Sequence, residues 1–85
     1  MDLQLIYFAW CKEKIGRSQE FLSVPVSVET VSDLMTWLAE RGAGYADVFA
    51  SPDMIRSAVN HEHVNPQWVL NMGDEVAFFP PVTGG

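Results

Sequence analysis

The 85-residue chain carries 11 acidic against 5 basic side chains, a net charge of −6, with 48% apolar residues and a single cysteine. That is enough for one small domain, but a domain of this size buries only roughly 60% of its unfolded surface and has little room for the deep cleft of a self-sufficient enzyme. The negative charge argues against nucleic acid and anionic membrane as partners. One cysteine, Cys11, leaves no internal disulfide, and the expected compartment is reducing.

The first residues show no basic stretch followed by a long apolar run, so neither a signal peptide nor a membrane span is expected, and the cytoplasm is the default. Residues 3–10 are rich in Leu, Ile, Tyr, Phe and Trp and predict a buried strand. Cys11, at the end of this apolar run, reads as a packed thiol with no base beside it. Residues 12–19 hold Gly16 and three of the five cations and read as a loop or turn. Residues 20–28 alternate Phe21, Val24, Val26 and Val28 with polar or small residues, which predicts a second strand; Pro25 marks it as an edge or a bulge.

The clearest helix begins at Thr30-Val31-Ser32-Asp33, where the Thr30 hydroxyl and Asp33 have capping-box spacing. Val31, Leu34, Met35 and Leu38 then fall on one helical face, with Trp37 at its border. Gly42 supplies a left-handed stop after Arg41, and Gly44 a further break. Residues 45–52 read as a short helical turn covering the sheet with Tyr45, Val48 and Phe49. Residues 54–60 predict a strand through Ile55, Ala58 and Val59, and 61–64 a turn or short strand. Asn71-Met72-Gly73-Asp74 has turn chemistry, with Gly73 suited to positive φ. Residues 75–79 form the last strand.

One amphipathic helix across one sheet satisfies the burial requirement of such a chain. The expected fold is therefore α+β: a mixed sheet of four to five strands packed against one main helix, with the first and last strands side by side at its centre. That is a β-grasp, or ubiquitin-like, arrangement. The expected organisation is a β-grasp domain over residues 1–79 and a flexible Gly-Gly tail over 80–85.

The tail carries the candidate chemistry. Pro80 and Pro81 lack a ladder N–H, so the chain must leave the sheet extended. From Pro80 through Val82, Thr83, Gly84 and Gly85, the six residues can reach about 20 Å. A narrow tunnel admits Gly84 and Gly85 where any Cβ would clash, and the Gly85 carboxylate is the least hindered acyl group a chain can offer. Terminal glycines are also common in inert tails; it is their position behind a Phe-Phe-Pro-Pro exit that favours the acyl reading. Phe78 and Phe79 point to opposite faces of the last strand, one into the core, the other a candidate docking residue for a partner.

The run from Gly73 to Gly85, Gly-Asp-Glu-Val-Ala-Phe-Phe-Pro-Pro-Val-Thr-Gly-Gly, resembles the C-terminal signature of the small subunit of molybdopterin synthase. Weaker similarities extend over nearly the whole chain: Tyr7-Phe8-Ala9 with Glu13 and Gly16, Thr30-Val31 with Leu34, Leu38 and Arg41, and Ala58-Val59-Asn60. Two positions depart from that pattern: Lys12 stands where the family often has arginine, and Met72 where its last turn commonly has aspartate.

The resemblance implies a cycle. An ATP-dependent adenylyltransferase activates Gly85, and a sulfurtransferase supplies sulfur to give a thiocarboxylate. The tail then enters the large subunit and donates sulfur to cyclic pyranopterin monophosphate. ATP is used by the activating partner, no cofactor is bound by this chain, and the catalytic side chains lie mainly on the large subunit of a heterotetramer. A sulfur carrier of another pathway, such as a thiamine-type one, a ubiquitin-like protein modifier, and a plain interaction module remain alternatives. Lys12 and Lys14, the only lysines, would give a modifier few acceptors for chains on itself. His61-Glu62-His63 sets two imidazoles on one side of an extended segment, but no further ligand completes a metal site and none is expected. Trp10, Trp37 and Trp68 read as core or rim aromatics.

Overall fold

The computed structural model describes residues 1–81. Strand β1 (Asp2–Tyr7) buries Leu3, Leu5 and Tyr7 on one face and turns Gln4 and Ile6 to the other. It ends earlier than the apolar run suggests. Phe8 is still extended, but Ala9 takes a left-handed φ of 54°, and the chain turns straight into α1 (Ala9–Ile15). Residues 12–15, read above as loop, are therefore helical. Cys11 goes into the core, Ile15 packs against it one turn later, and Gly16, left-handed at φ 89°, caps the helix with its N–H on the Lys12 carbonyl.

Strand β2 (Gln19–Ser23) runs antiparallel to β1. It stops before Val24, and Pro25 lies in the connection that follows rather than in an edge strand. Its phase also differs from the expectation: Glu20 is buried, whereas Phe21 is 76% exposed. The apolar alternation counted through Val28 runs past the end of the strand, so it does not report which face Phe21 takes.

Helix α2 (Val31–Ala39) has the expected capping box. The Asp33 N–H donates to Thr30 Oγ1 at 3.1 Å, and the Thr30 and Glu29 N–H groups donate to Asp33 Oδ2 at 3.1 and 3.0 Å. These bonds hold the Asp33 carboxyl below its usual range. Val31, Leu34, Met35 and Leu38 are buried, as the spacing predicts. Gly42 opens a third helix, α3 (Ala43–Phe49), rather than closing α2 as a left-handed stop. Gly44 lies inside α3 and does not break it: a Cβ there would stand 2.2 Å from the Lys14 carbonyl oxygen, so α1 and α3 meet backbone to backbone. A 3-10 turn (Pro52–Met54) leads to β3 (Arg56–Val59), β4 (Glu62–Val64) and β5 (Glu75–Phe79).

The five strands form one sheet in the order β2-β1-β5-β3-β4, with the central β1 and β5 parallel and every other pair antiparallel. This is the expected β-grasp arrangement, with three short helices in place of one. The helices supply Cys11, Leu34, Leu38, Val48 and Phe49 to a core shared with Leu5, Tyr7, Val76 and Phe78. Among the described residues, the opposite sheet face carries no helix. No helix among the described residues is long and apolar enough to cross a membrane.

Candidate functional site

The strand that delivers the tail is held firmly at its start. Gly73, at φ 86°, turns the chain and donates its N–H to the Asp2 carbonyl at 2.7 Å. Asn60, itself left-handed at φ 49°, bridges the strands: its Nδ2 donates to Asp74 Oδ1 at 2.9 Å, and its Oδ1 accepts from the Glu75 N–H at 3.0 Å. The second Asp74 oxygen accepts from the Asn71 N–H at 2.8 Å. With the entry fixed, β5 runs between β1 and β3 until the Phe8 N–H donates to the Phe78 carbonyl at 3.1 Å. Phe79 still pairs with Arg56 of β3. Pro80 then has no N–H for the ladder, and Pro80 and Pro81 leave the sheet half-buried.

The two phenylalanines divide as their alternation requires. Phe78 is fully buried, with its ring 5.0 Å from Phe49 edge to face and 6.4 Å from Tyr7 nearly parallel. No surface of it is free for a partner, so of the two candidate docking residues only Phe79 is placed for that role. Phe79 faces the uncovered side with Ile6, Ala58 and Ala77, and together with Phe8, His61 and Glu75 they line a shallow groove of about 390 Å³. Phe8 is half-exposed at its rim, where β1 ends beside the tail exit. The two histidines border this face: His61 Nε2 lies 2.8 Å from Glu75 Oε2, and the His63 ring meets Phe79 edge-on at 5.2 Å. Among the described residues, no group of three or more His, Cys, Asp or Glu side chains is placed to hold a metal ion.

On the covered side, the same end of the sheet is tied by one carboxylate. Glu20 Oε2 accepts from the Tyr7 and Tyr45 hydroxyls, both at 2.7 Å; its Oε1 accepts from Arg41 at 3.1 Å and from Arg17 at 3.2 Å. Arg41 also lies over the Tyr45 ring, 4.9 Å from its centroid. Burial alone would raise the Glu20 pKa, but the donors from Tyr45, Tyr7 and Arg41 outweigh it and hold the carboxyl below its usual range. Burial and the Glu20 charge push both phenols above theirs, so they remain hydroxyl donors. Burial likewise pushes the Cys11 thiol up to about 11, which makes it a poor nucleophile.

The sequence reading missed this cluster and the part played by Phe8. One available signal was Tyr7, whose hydroxyl needs a partner once the ring is buried; the nearest carboxylate across the hairpin is Glu20. The remaining predicted site residues, Val82, Thr83, Gly84 and Gly85, lie outside the described residues.

Comparison with known proteins agrees with this architecture. The chain is 35% identical over 87 residues to the molybdopterin synthase sulfur carrier subunit of Homo sapiens, covering 99% of this chain and 94% of that one. It is 34% identical over 83 residues to the protein of the same name from Escherichia coli (strain K12), covering 98% and 99%. Among solved structures, SAMP1 from Haloferax volcanii superposes with a TM-score of 0.78 at 28% identity and full coverage of both chains. The ThiS family matches residues 5–85, and the chain belongs to that family.

Proposed function

We propose that this chain is the sulfur-carrier small subunit of a molybdopterin synthase, with Gly85 as the group that carries the sulfur. The observation that supports this most directly is the resemblance to sulfur carrier subunits over nearly the full length of both proteins. In this reading an adenylyltransferase joins the Gly85 carboxylate to AMP and releases pyrophosphate. Sulfur delivered by a sulfurtransferase at the sulfide level displaces AMP and leaves a thiocarboxylate. Pro80, Pro81, Val82, Thr83 and Gly84 carry that group into the large subunit, where it passes to cyclic pyranopterin monophosphate. The chain supplies no catalytic side chain; it is the sulfur-donating subunit of an enzyme.

The uncovered face fits a docking role beside the tail. A contiguous apolar groove next to the exit lets a partner hold the body while the last residues reach inside. Phe8, half-exposed, and Phe79, partly buried, are its aromatic anchors.

The test is intact mass spectrometry of the native protein, with alkylation to distinguish an oxygen-to-sulfur exchange from an oxidation. A terminal thiocarboxylate is expected, and removal of Gly85 should abolish sulfur transfer while leaving the melting temperature unchanged. A protein isolated only as the free carboxylate, even with an active pathway, would overturn the reading. A second reading, attachment to other proteins, draws support from the likeness to SAMP1, the small archaeal modifier protein 1 of Haloferax volcanii. Isopeptide-linked conjugates ending in Gly85 would favour it.

A further inference from the structure

The apolar groove has an unusual neighbour. His63, on β4, lies at the sheet edge with its ring against Phe79, the residue most directly placed to meet a partner. An imidazole is the one side chain that changes charge near neutral pH without special help. While the face is open to water, either form of His63 is solvated. Once a partner covers Phe79, the ring touching it is covered too, and only the neutral form is desolvated cheaply.

We propose that His63 makes docking on this face proton-sensitive, with the complex favoured by neutral imidazole and opened by its protonation. This rests on the docking role of the Phe79 face. The geometry sets the sign. Among the described residues, the sheet is the layer packed against His63, and the helices lie on the other side. The strand beside β4 is β3, whose Ala58 pairs with His63 and whose Arg56 pairs with Phe79. Arg56 is thus a cation on the same face, unfavourable to a second positive charge. Glu75, the acid on this face of β5, is engaged by His61 at 2.8 Å. Glu62, beside His63 in β4, alternates to the opposite face. Among the described residues, no carboxylate on this face is paired with His63 to hold its proton.

The expected effect follows from linkage. Affinity should fall about five- to tenfold between pH 7.5 and 5.5, the span over which an imidazole takes up its proton. The experiment is calorimetric titration of the full-length chain with the molybdopterin synthase large subunit from the same genome. Wild type, His63→Gln, His63→Leu, His61→Gln and Phe79→Ala are compared over that pH range, with circular dichroism as a check on folding. Acid-induced weakening in wild type and His61→Gln, but lost in both His63 variants, supports the proposal. Identical pH profiles for wild type and the His63 variants overturn it, as does weakening that disappears only with His61→Gln. If Phe79→Ala binds as tightly as wild type, the docking role itself fails and the proposal falls with it. If Phe79→Ala binds weakly while the profiles coincide, only the proton sensitivity is refuted.

Discussion

Phe78 and Phe79 are adjacent in sequence and identical in chemistry, yet they belong to two different surfaces. The pleat sends Phe78 into the layer between sheet and helices, where Tyr7 and Phe49 surround it, and sends Phe79 to the side that no helix covers. The covered face is where the fold is held together; the uncovered face keeps apolar surface available beside the end of β5. In the proposed docking role, a single-residue step separates stability from recognition. The sharpest way to break that division is to truncate each ring in turn. Phe78→Ala should cost about 3–5 kcal/mol of folding stability, the range for a buried aromatic. Phe79→Ala should cost less than about 1 kcal/mol but weaken large-subunit binding at least about tenfold. Urea denaturation and calorimetric binding measure the two effects separately; equal stability losses would erase the distinction.

The next pair, Glu20 and Phe21, inverts the usual assignment, with the acid inside and the aromatic outside. Four donors make this tolerable: a buried carboxylate is stable only when its oxygens are fully engaged. Glu20→Gln replaces one acceptor oxygen with an NH₂ that faces hydroxyl and guanidinium donors, and should cost about 2–3 kcal/mol. The pH dependence has a definite sign. Because the folded carboxyl titrates below its unfolded value, its contribution is complete above about pH 4.3 and is lost as the pH falls through the lower folded value. Wild type should therefore lose stability on acidification more steeply than Glu20→Gln, as measured by urea midpoints from pH 6 downward. Parallel curves would remove Glu20 as the tie at this end of the sheet.

These cases show what the sequence made legible. The α2 helix was readable because capping box and apolar spacing agree over one continuous segment. The β5 strand and its Pro-Pro exit were readable for the same reason, as was the central pairing of β1 with β5. The inward turn of Glu20 was not, because it depends on Tyr45 and Arg41, distant in sequence. Helix α1 was hidden because its apolar start continues the pattern of the strand before it. Gly44 was misread as a helix break because its reason is spatial, the Lys14 carbonyl at the position of the missing Cβ. Here propensity and packing predict opposite signs. Alanine is the better helix former by about 1 kcal/mol, yet Gly44→Ala should destabilise by about 1–3 kcal/mol through overpacking between α1 and α3. A thermal melt decides between them, and a stabilised variant would show that the two helices can separate at no loss.

The smallest expected effect lies where the chain crosses between the two faces. Phe8 belongs to the rim of the open groove, and Cys11, three residues on, is part of the covered core. Ala9 makes the crossing in a left-handed conformation that costs an L-residue about 1–2 kcal/mol. Ala9→Gly removes that strain but loses more chain entropy on folding, by about 0.5–1 kcal/mol, so the net gain should be no more than about 1.5 kcal/mol. Ala9→Val should lose stability by about 1 kcal/mol or more, because a branched Cβ is poorly tolerated at positive φ. Position 9 is exposed enough for the side chain itself to contribute little, which makes the difference between the two variants a measure of backbone strain. If glycine and valine at position 9 gave the same urea midpoint, the left-handed turn would carry no strain, and the close passage from groove rim to core would need another explanation.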